Sequence, residues 1–155
     1  MSLSIGQKAP DFTLKNSGGE DVSLSDFSGK KNVVILFFPL AFSSVCTDEL
    51  CQVRDDYQKF DSLDAQVLGI SVDSFFTLKE FKESQKYNFP LLSDFNKTTA
   101  TAYGALYDEF FGMKGVAKRS AFVIDKEGIV QYAEVLEKAS DLPNFEEIKS
   151  VLSGL

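Results

Sequence analysis

Histidine is absent from the 155-residue chain. That removes Ser-His-Asp and Cys-His catalysis and most zinc chemistry, so any nucleophile must be activated without an imidazole. Tryptophan is absent too, and only two arginines, Arg54 and Arg119, and two cysteines, Cys46 and Cys51, are present. Two cysteines are too few for a disulfide scaffold in an intracellular chain, and reactive thiols are the better expectation. The longest apolar run, Val33 to Phe38 and a few residues beyond, falls far short of the roughly 20 residues that span a bilayer. Met1-Ser2-Leu3-Ser4-Ile5-Gly6 has neither a basic stretch nor an apolar one, so no secretory leader is expected and the location reads as cytoplasmic. The net charge of −7 repels phosphate backbones and anionic lipid, which argues against nucleic-acid and membrane roles. No ligand set or glycine fingerprint for a metal, haem or flavin is seen, so no cofactor is expected.

What is present is globular: 44% apolar residues, 25% charged, and fifteen phenylalanines that fall largely in apolar runs and are expected in the core. With no repeat or linker, residues 1–155 read as one domain. Asp11–Leu14 and Asp21–Leu24 flank Asn16-Ser17-Gly18-Gly19 and predict an N-terminal β-hairpin. Asn32–Phe38 is a β-branched and aromatic run typical of a strand buried on both faces. Pro39 ends it. Ser43 or Ser44 can then cap a helix with Asp48 and Glu49 in its first turns, continuing along Leu50, Val53, Tyr57 and Phe60. Further elements are a strand over 66–72, helices over 75–86 and 97–103, a hairpin over 120–125 and 129–134, and a helix over 144–152. The order implies an α/β fold with a central mixed sheet flanked by helices, and it resembles the thioredoxin arrangement.

Cys46 falls in the first turn of the predicted helix, where unpaired amides and the positive dipole end favour an ionised sulfur. A thiolate is the species that attacks an O–O bond. The hydroperoxide must also be held in line while charge moves to the leaving oxygen. Pro39 can shield the sulfur from water, the Ser43 hydroxyl can hydrogen-bond a peroxide oxygen, and Arg119 can bind peroxide and stabilise the thiolate. Taken singly, each feature has a plainer explanation. A helical cysteine is usually a small core residue, Arg119 could be a strand-edge ion pair, Glu49 a dipole partner, and Arg54 a surface partner of Asp55 or Asp61. Phe42, Phe110, Phe111 and Met113 could line a substrate entrance, a dimer face or the core.

Pro39-Leu40-Ala41-Phe42-Ser43-Ser44-Val45-Cys46 resembles the peroxiredoxin active-site loop, Pro-x-x-x-Thr/Ser-x-x-Cys. Gly6–Phe12, Phe89–Asp94 and Arg119–Asp125 followed by Gly128 extend the resemblance over nearly the whole chain. It implies a thioredoxin-like fold and a peroxidase that reduces hydrogen peroxide and organic hydroperoxides to water or alcohol, serving antioxidant defence. Cys46 would become a sulfenic acid, Pro39, Ser43 and Arg119 would bind peroxide, and Glu49 would help position Arg119. Ser43 stands where most members carry Thr. Thioredoxin or a similar dithiol would be the reductant, and the protein would be a monomer or homodimer.

Cys51 has the spacing of the resolving cysteine in the bacterioferritin comigratory protein (PrxQ) branch, whereas Pro39–Phe42 looks like the one-cysteine AhpE branch. In an intact helix, positions i and i+5 have Cα atoms about 8.5 Å apart, beyond the roughly 7 Å a disulfide spans. A Cys46–Cys51 bond therefore requires helical turns to unwind; alternatively Cys51 is simply buried. A thiol–disulfide oxidoreductase would instead carry Cys-x-x-Cys, and a non-enzymatic binding module would have an unreactive thiol.

Overall fold

The computed structural model describes residues 3–155; Met1 and Ser2, where the leader reading begins, lie outside it. The elements are β1 (Thr13–Asn16), β2 (Asp21–Ser23), a 3-10 turn (Leu24–Phe27), β3 (Asn32–Phe37), α1 (Ser44–Asp55), α2 (Tyr57–Ser62), β4 (Ala65–Ser71), α3 (Phe75–Gln85), β5 (Leu91–Ser93), α4 (Thr98–Ala102), β6 (Ser120–Ile124), β7 (Val130–Val135) and α5 (Phe145–Ser153). One seven-stranded sheet runs in the order β2-β1-β5-β4-β3-β6-β7. β3 pairs in parallel with β4 and β4 with β5, while β6 is antiparallel to β3 and β7 to β6. This is a mixed thioredoxin-like sheet.

β3 is an interior strand, between β4 and β6, with every residue buried. Its side chains divide by the two-residue period of a strand. Val33, Ile35 and Phe37 join one core layer with Phe12, Leu68, Tyr103 and Phe122. Val34, Leu36 and Phe38 join the other, beneath α1, α2, α3 and α5, with Cys46, Leu50, Phe60, Phe81 and Ile148. Each such large apolar side chain contributes about 1.5–3 kcal/mol on burial.

The hairpin is present but begins later than the sequence suggests. The Asn16 carboxamide accepts from Gly18 and Glu20 amides, folding the turn back on itself, and Gly19 takes φ 81°, a left-handed conformation that favours glycine. The predicted continuous helix from Ser43 to Phe60 is two helices. The chain departs from helical dihedrals at Asp56, whose carboxylate is ion-paired with Lys149 of α5, and the apolar stripe carries on through Phe60. Asp48 and Glu49 lie beyond the first turn of α1, which contains no acidic residue. β5 has no counterpart in the sequence reading: three residues after Pro90 are too few to show a period. Among the described residues no helix is long and apolar enough to cross a membrane.

Candidate active site

Register brings the site together. β3 and β6 are antiparallel with Phe37 opposite Ser120. The loop leaving the end of β3, Pro39 to Ser43, therefore meets Arg119, the residue entering β6, although 73 positions separate Arg119 from Cys46. α1 starts from this same edge of the sheet.

The loop is held tightly. Pro39 is buried. The Ala41 amide donates to Asp73 Oδ2 at 2.7 Å, and the same oxygen accepts from Ser71 Oγ at 2.7 Å. Phe42 has φ 69°, a left-handed conformation that costs a non-glycine residue of order 1 kcal/mol or more, and its ring lies 4.9 Å from that of Phe81. Ser43 is the N-cap residue of α1, but its hydroxyl does not cap the helix. It donates to the Leu40 carbonyl at 2.8 Å, which leaves its oxygen lone pairs as acceptors.

Cys46 is fully buried, and Arg119 Nη2 donates to its sulfur at 3.1 Å. Nε of the same guanidinium donates to the Ala139 carbonyl at 2.8 Å, and Nη1 to Glu49 Oε1. Three directions of the planar fork are thus occupied, which fixes it against the sulfur. Arg119 is 1% exposed. Burial works against its charge, and the neighbouring carboxyl and sulfur more than offset this, so it stays a guanidinium. Burial pushes the Glu49 carboxyl up to about 7, with the charge and hydrogen bond of Arg119 pulling the other way. Glu49 Oε2 has no protein hydrogen-bond partner among the described residues, an arrangement that suits a protonated oxygen better than an anionic one.

A cavity of about 500 Å³ opens at this edge, lined by Ser43, Val45, Tyr107, Phe110, Phe111 and Arg119 among others. Phe110 and Phe111 thus line this cavity, and Phe111, 89% exposed, is not core. Phe42 is 53% exposed and Met113, which bridges Phe110 through the backbone, 40%.

Cys51 lies on the same unbroken helix, half-buried. Its sulfur is 3.6 Å from Gln85 Oε1 and 3.8 Å from the Tyr87 hydroxyl, and both cysteines are free thiols. Arg54 pairs with Asp55 at 3.0 Å and donates to the Gln85 carbonyl at 2.6 Å, away from the Cys46 cluster. The structure thus gathers Pro39, Ser43, Cys46, Glu49 and Arg119 at one edge and leaves Cys51 apart. Sequence reasoning missed Ala139, which contributes only a carbonyl, and Asp73. Asp73 follows the end of parallel strand β4, where α/β sheets place functional loops, and that position was the available signal.

A fully buried cysteine held by a guanidinium at the mouth of a thioredoxin-like sheet defines a thiol-based redox site. The comparisons specify which one. The AhpC/TSA family profile matches residues 5–133. The chain is 40% identical to alkyl hydroperoxide reductase E of Mycobacterium tuberculosis over 86% of both chains. Peroxidoxin BcpB of Mycobacterium tuberculosis superposes with a TM-score of 0.89 at 29% identity, covering 99% of this chain and 98% of that one. Peroxiredoxin Q of Xanthomonas campestris gives 0.81 at 27% identity, covering 92% and 90%. The chain belongs to the AhpC/TSA family of peroxiredoxins, and it is an enzyme, a thiol-dependent peroxidase.

Proposed function

We propose that the enzyme reduces hydrogen peroxide and organic hydroperoxides through Cys46, resolves the oxidised sulfur with Cys51, and is recycled by thioredoxin or a similar dithiol. The observation that carries this is the 3.1 Å contact from Arg119 Nη2 to the buried Cys46 sulfur. A guanidinium there stabilises negative charge on sulfur, and in a water-poor site that interaction is stronger than in bulk solvent.

In the first step the Cys46 thiolate attacks one peroxide oxygen, a sulfur–oxygen bond forms, the O–O bond breaks, and the departing oxygen takes a proton to leave as water or alcohol. Arg119 offsets the charge moving onto that oxygen. Ser43 Oγ, its hydrogen given to Leu40, accepts from the peroxide O–H and helps align it. Pro39 walls the sulfur from solvent, and Glu49 positions Arg119. The cavity lined by Phe110 and Phe111 is the route in, and its aromatic wall accommodates organic hydroperoxides as well as hydrogen peroxide.

The second step joins Cys46 to Cys51. With both on one intact helix, the stretch between them must unwind first. A bond that forms only after local unwinding is open to attack while the helix is unwound, so an external dithiol reduces it. The test is consumption of hydrogen peroxide with a dithiol reductant, comparing the enzyme with Cys46→Ser. Rapid turnover abolished by the substitution is the expected result; turnover surviving in Cys46→Ser, or insulin reduction without peroxide consumption, contradicts the proposal.

A further inference from the structure

The segment leading from α3 to β5 makes a second set of contacts to α1, on a side the Arg119 cluster does not reach. Lys86 turns the chain there with φ 55°. Arg54 Nη1 donates to the Gln85 carbonyl at 2.6 Å, and Asn88 Nδ2 donates to the Arg54 carbonyl at 3.2 Å. The Tyr87 hydroxyl donates to the Thr47 carbonyl at 3.3 Å. The Cys51 thiol donates toward Gln85 Oε1 at 3.6 Å, with the Tyr87 oxygen 3.8 Å from the same sulfur. These contacts run from Thr47 to Arg54 and so span the turns that separate the two cysteines.

One of them has special leverage. In an α-helix the Thr47 carbonyl is the acceptor for the Cys51 amide. The Tyr87 hydroxyl gives that carbonyl a second donor and so anchors the peptide unit that must come loose before the sulfurs can meet. The phenol is suited to the task. It is 4% exposed, its ring is packed against Phe81 and Phe89 at centroid distances of 5.1 and 5.4 Å, and burial raises its pKa so that it remains a donor.

We propose that Tyr87 is a positioning residue for the second half of the reaction: its hydroxyl holds α1 wound between Cys46 and Cys51 and thereby sets the rate of disulfide formation. The proposal rests on Cys51 being the resolving cysteine. In that step the Cys51 thiol gives up its proton and its sulfur attacks the Cys46 sulfenic sulfur. A sulfur–sulfur bond forms, the sulfur–oxygen bond breaks, and the oxygen leaves as water carrying the proton. Cys51 is oxidised and Cys46 reduced. While α1 is wound, the Cys51 thiol remains bonded to Gln85 and Tyr87 and the Cys46 cluster remains assembled for peroxide.

The test compares wild type, Tyr87→Phe and Cys51→Ser after one equivalent of hydrogen peroxide. Stopped flow follows peroxide loss, and rapid-quench mass spectrometry follows the gain of one oxygen and its departure as water. Tyr87→Phe keeps the ring and removes only the hydroxyl. It is expected to consume peroxide at the wild-type rate and to form the disulfide about 3- to 10-fold faster, the range one net hydrogen bond supports. The Cys51 backbone amide should exchange with deuterium faster by a similar factor. In the Cys51→Ser background the same substitution should leave the sulfenic acid lifetime unchanged, a result general loosening of the fold would not give. Gln85→Ala, which removes the acceptor of the Cys51 thiol and spares the aromatic cluster, should accelerate the same step. A disulfide forming at the wild-type rate in Tyr87→Phe overturns the assignment of Tyr87 and leaves Cys51 its role. A sulfenic acid that persists in the wild type beside a free Cys51 overturns the resolving reading and Tyr87's role with it.

Discussion

Cys46 has a guanidinium nitrogen 3.1 Å from its sulfur and no exposed surface; Cys51, one and a half turns further along the same helix, is half-buried against a carboxamide oxygen and a phenol. Residue type, helix and sequence neighbourhood are shared. What differs is the partner supplied by distant chain, a cation from the start of β6 in one case and neutral groups from the α3–β5 strap in the other. Chemistry at a cysteine is therefore assigned by what the fold delivers to it. The division suits the two successive tasks proposed above, since attack on peroxide needs charge held in place and the proposed resolution needs a helix that can let go.

Cys46→Ser has the largest expected consequence, lowering peroxide consumption by about 10⁴-fold or more toward the uncatalysed rate. Removing the cation should come next. Arg119→Met is expected to slow the reaction of Cys46 with hydrogen peroxide by about 10²–10³-fold, the usual cost of losing a donor aimed at developing charge. Arg119→Lys should recover only part of this, because the three donors of an ammonium diverge from one nitrogen and do not reproduce the planar fork that reaches Ala139, Glu49 and the sulfur from three nitrogens. Equal rates in Arg119→Met and wild type, measured by stopped flow, would erase the distinction between the two cysteines.

Glu49 sharpens the contrast through stability. Its folded pKa, about 7, is raised from 4.5 by burial. The folded state therefore retains a proton that the unfolded chain releases, and stability falls as pH rises between about 4.5 and 7. Glu49→Gln cannot titrate, so its stability profile should be flatter over that window, by on the order of 3 kcal/mol in total. Urea denaturation of both proteins at several pH values checks this, and parallel profiles would contradict it. The smallest effect belongs to Cys51→Ser, which should leave the peroxide step within about twofold, as its contacts do not reach the reacting atoms.

Much of this was legible in the chain itself. β3 announces itself by a run of apolar residues buried on both faces, and the spacing of Pro39, Ser43 and Cys46, with Arg119 opening a late strand, points to the site before any geometry. What was hidden depended on tertiary context. β5 is too short to carry a period. The break at Asp56 falls where Lys149, nearly a hundred residues away, pairs with its carboxylate. The Ser43 hydroxyl turns back to Leu40 because the loop curls at Phe42. The strap from Gln85 to Asn88 acts on α1 through one backbone carbonyl, two carboxamides and a phenol, groups with no motif to betray them.

The most direct test is the rate at which each cysteine, alone in its own single-cysteine variant, reacts with hydrogen peroxide at neutral pH. The account predicts that Cys46 in Cys51→Ser reacts faster than Cys51 in Cys46→Ser by about 10³-fold or more, the electrostatic advantage a buried guanidinium confers. Two thiols that react alike, each no faster than free cysteine, would contradict it.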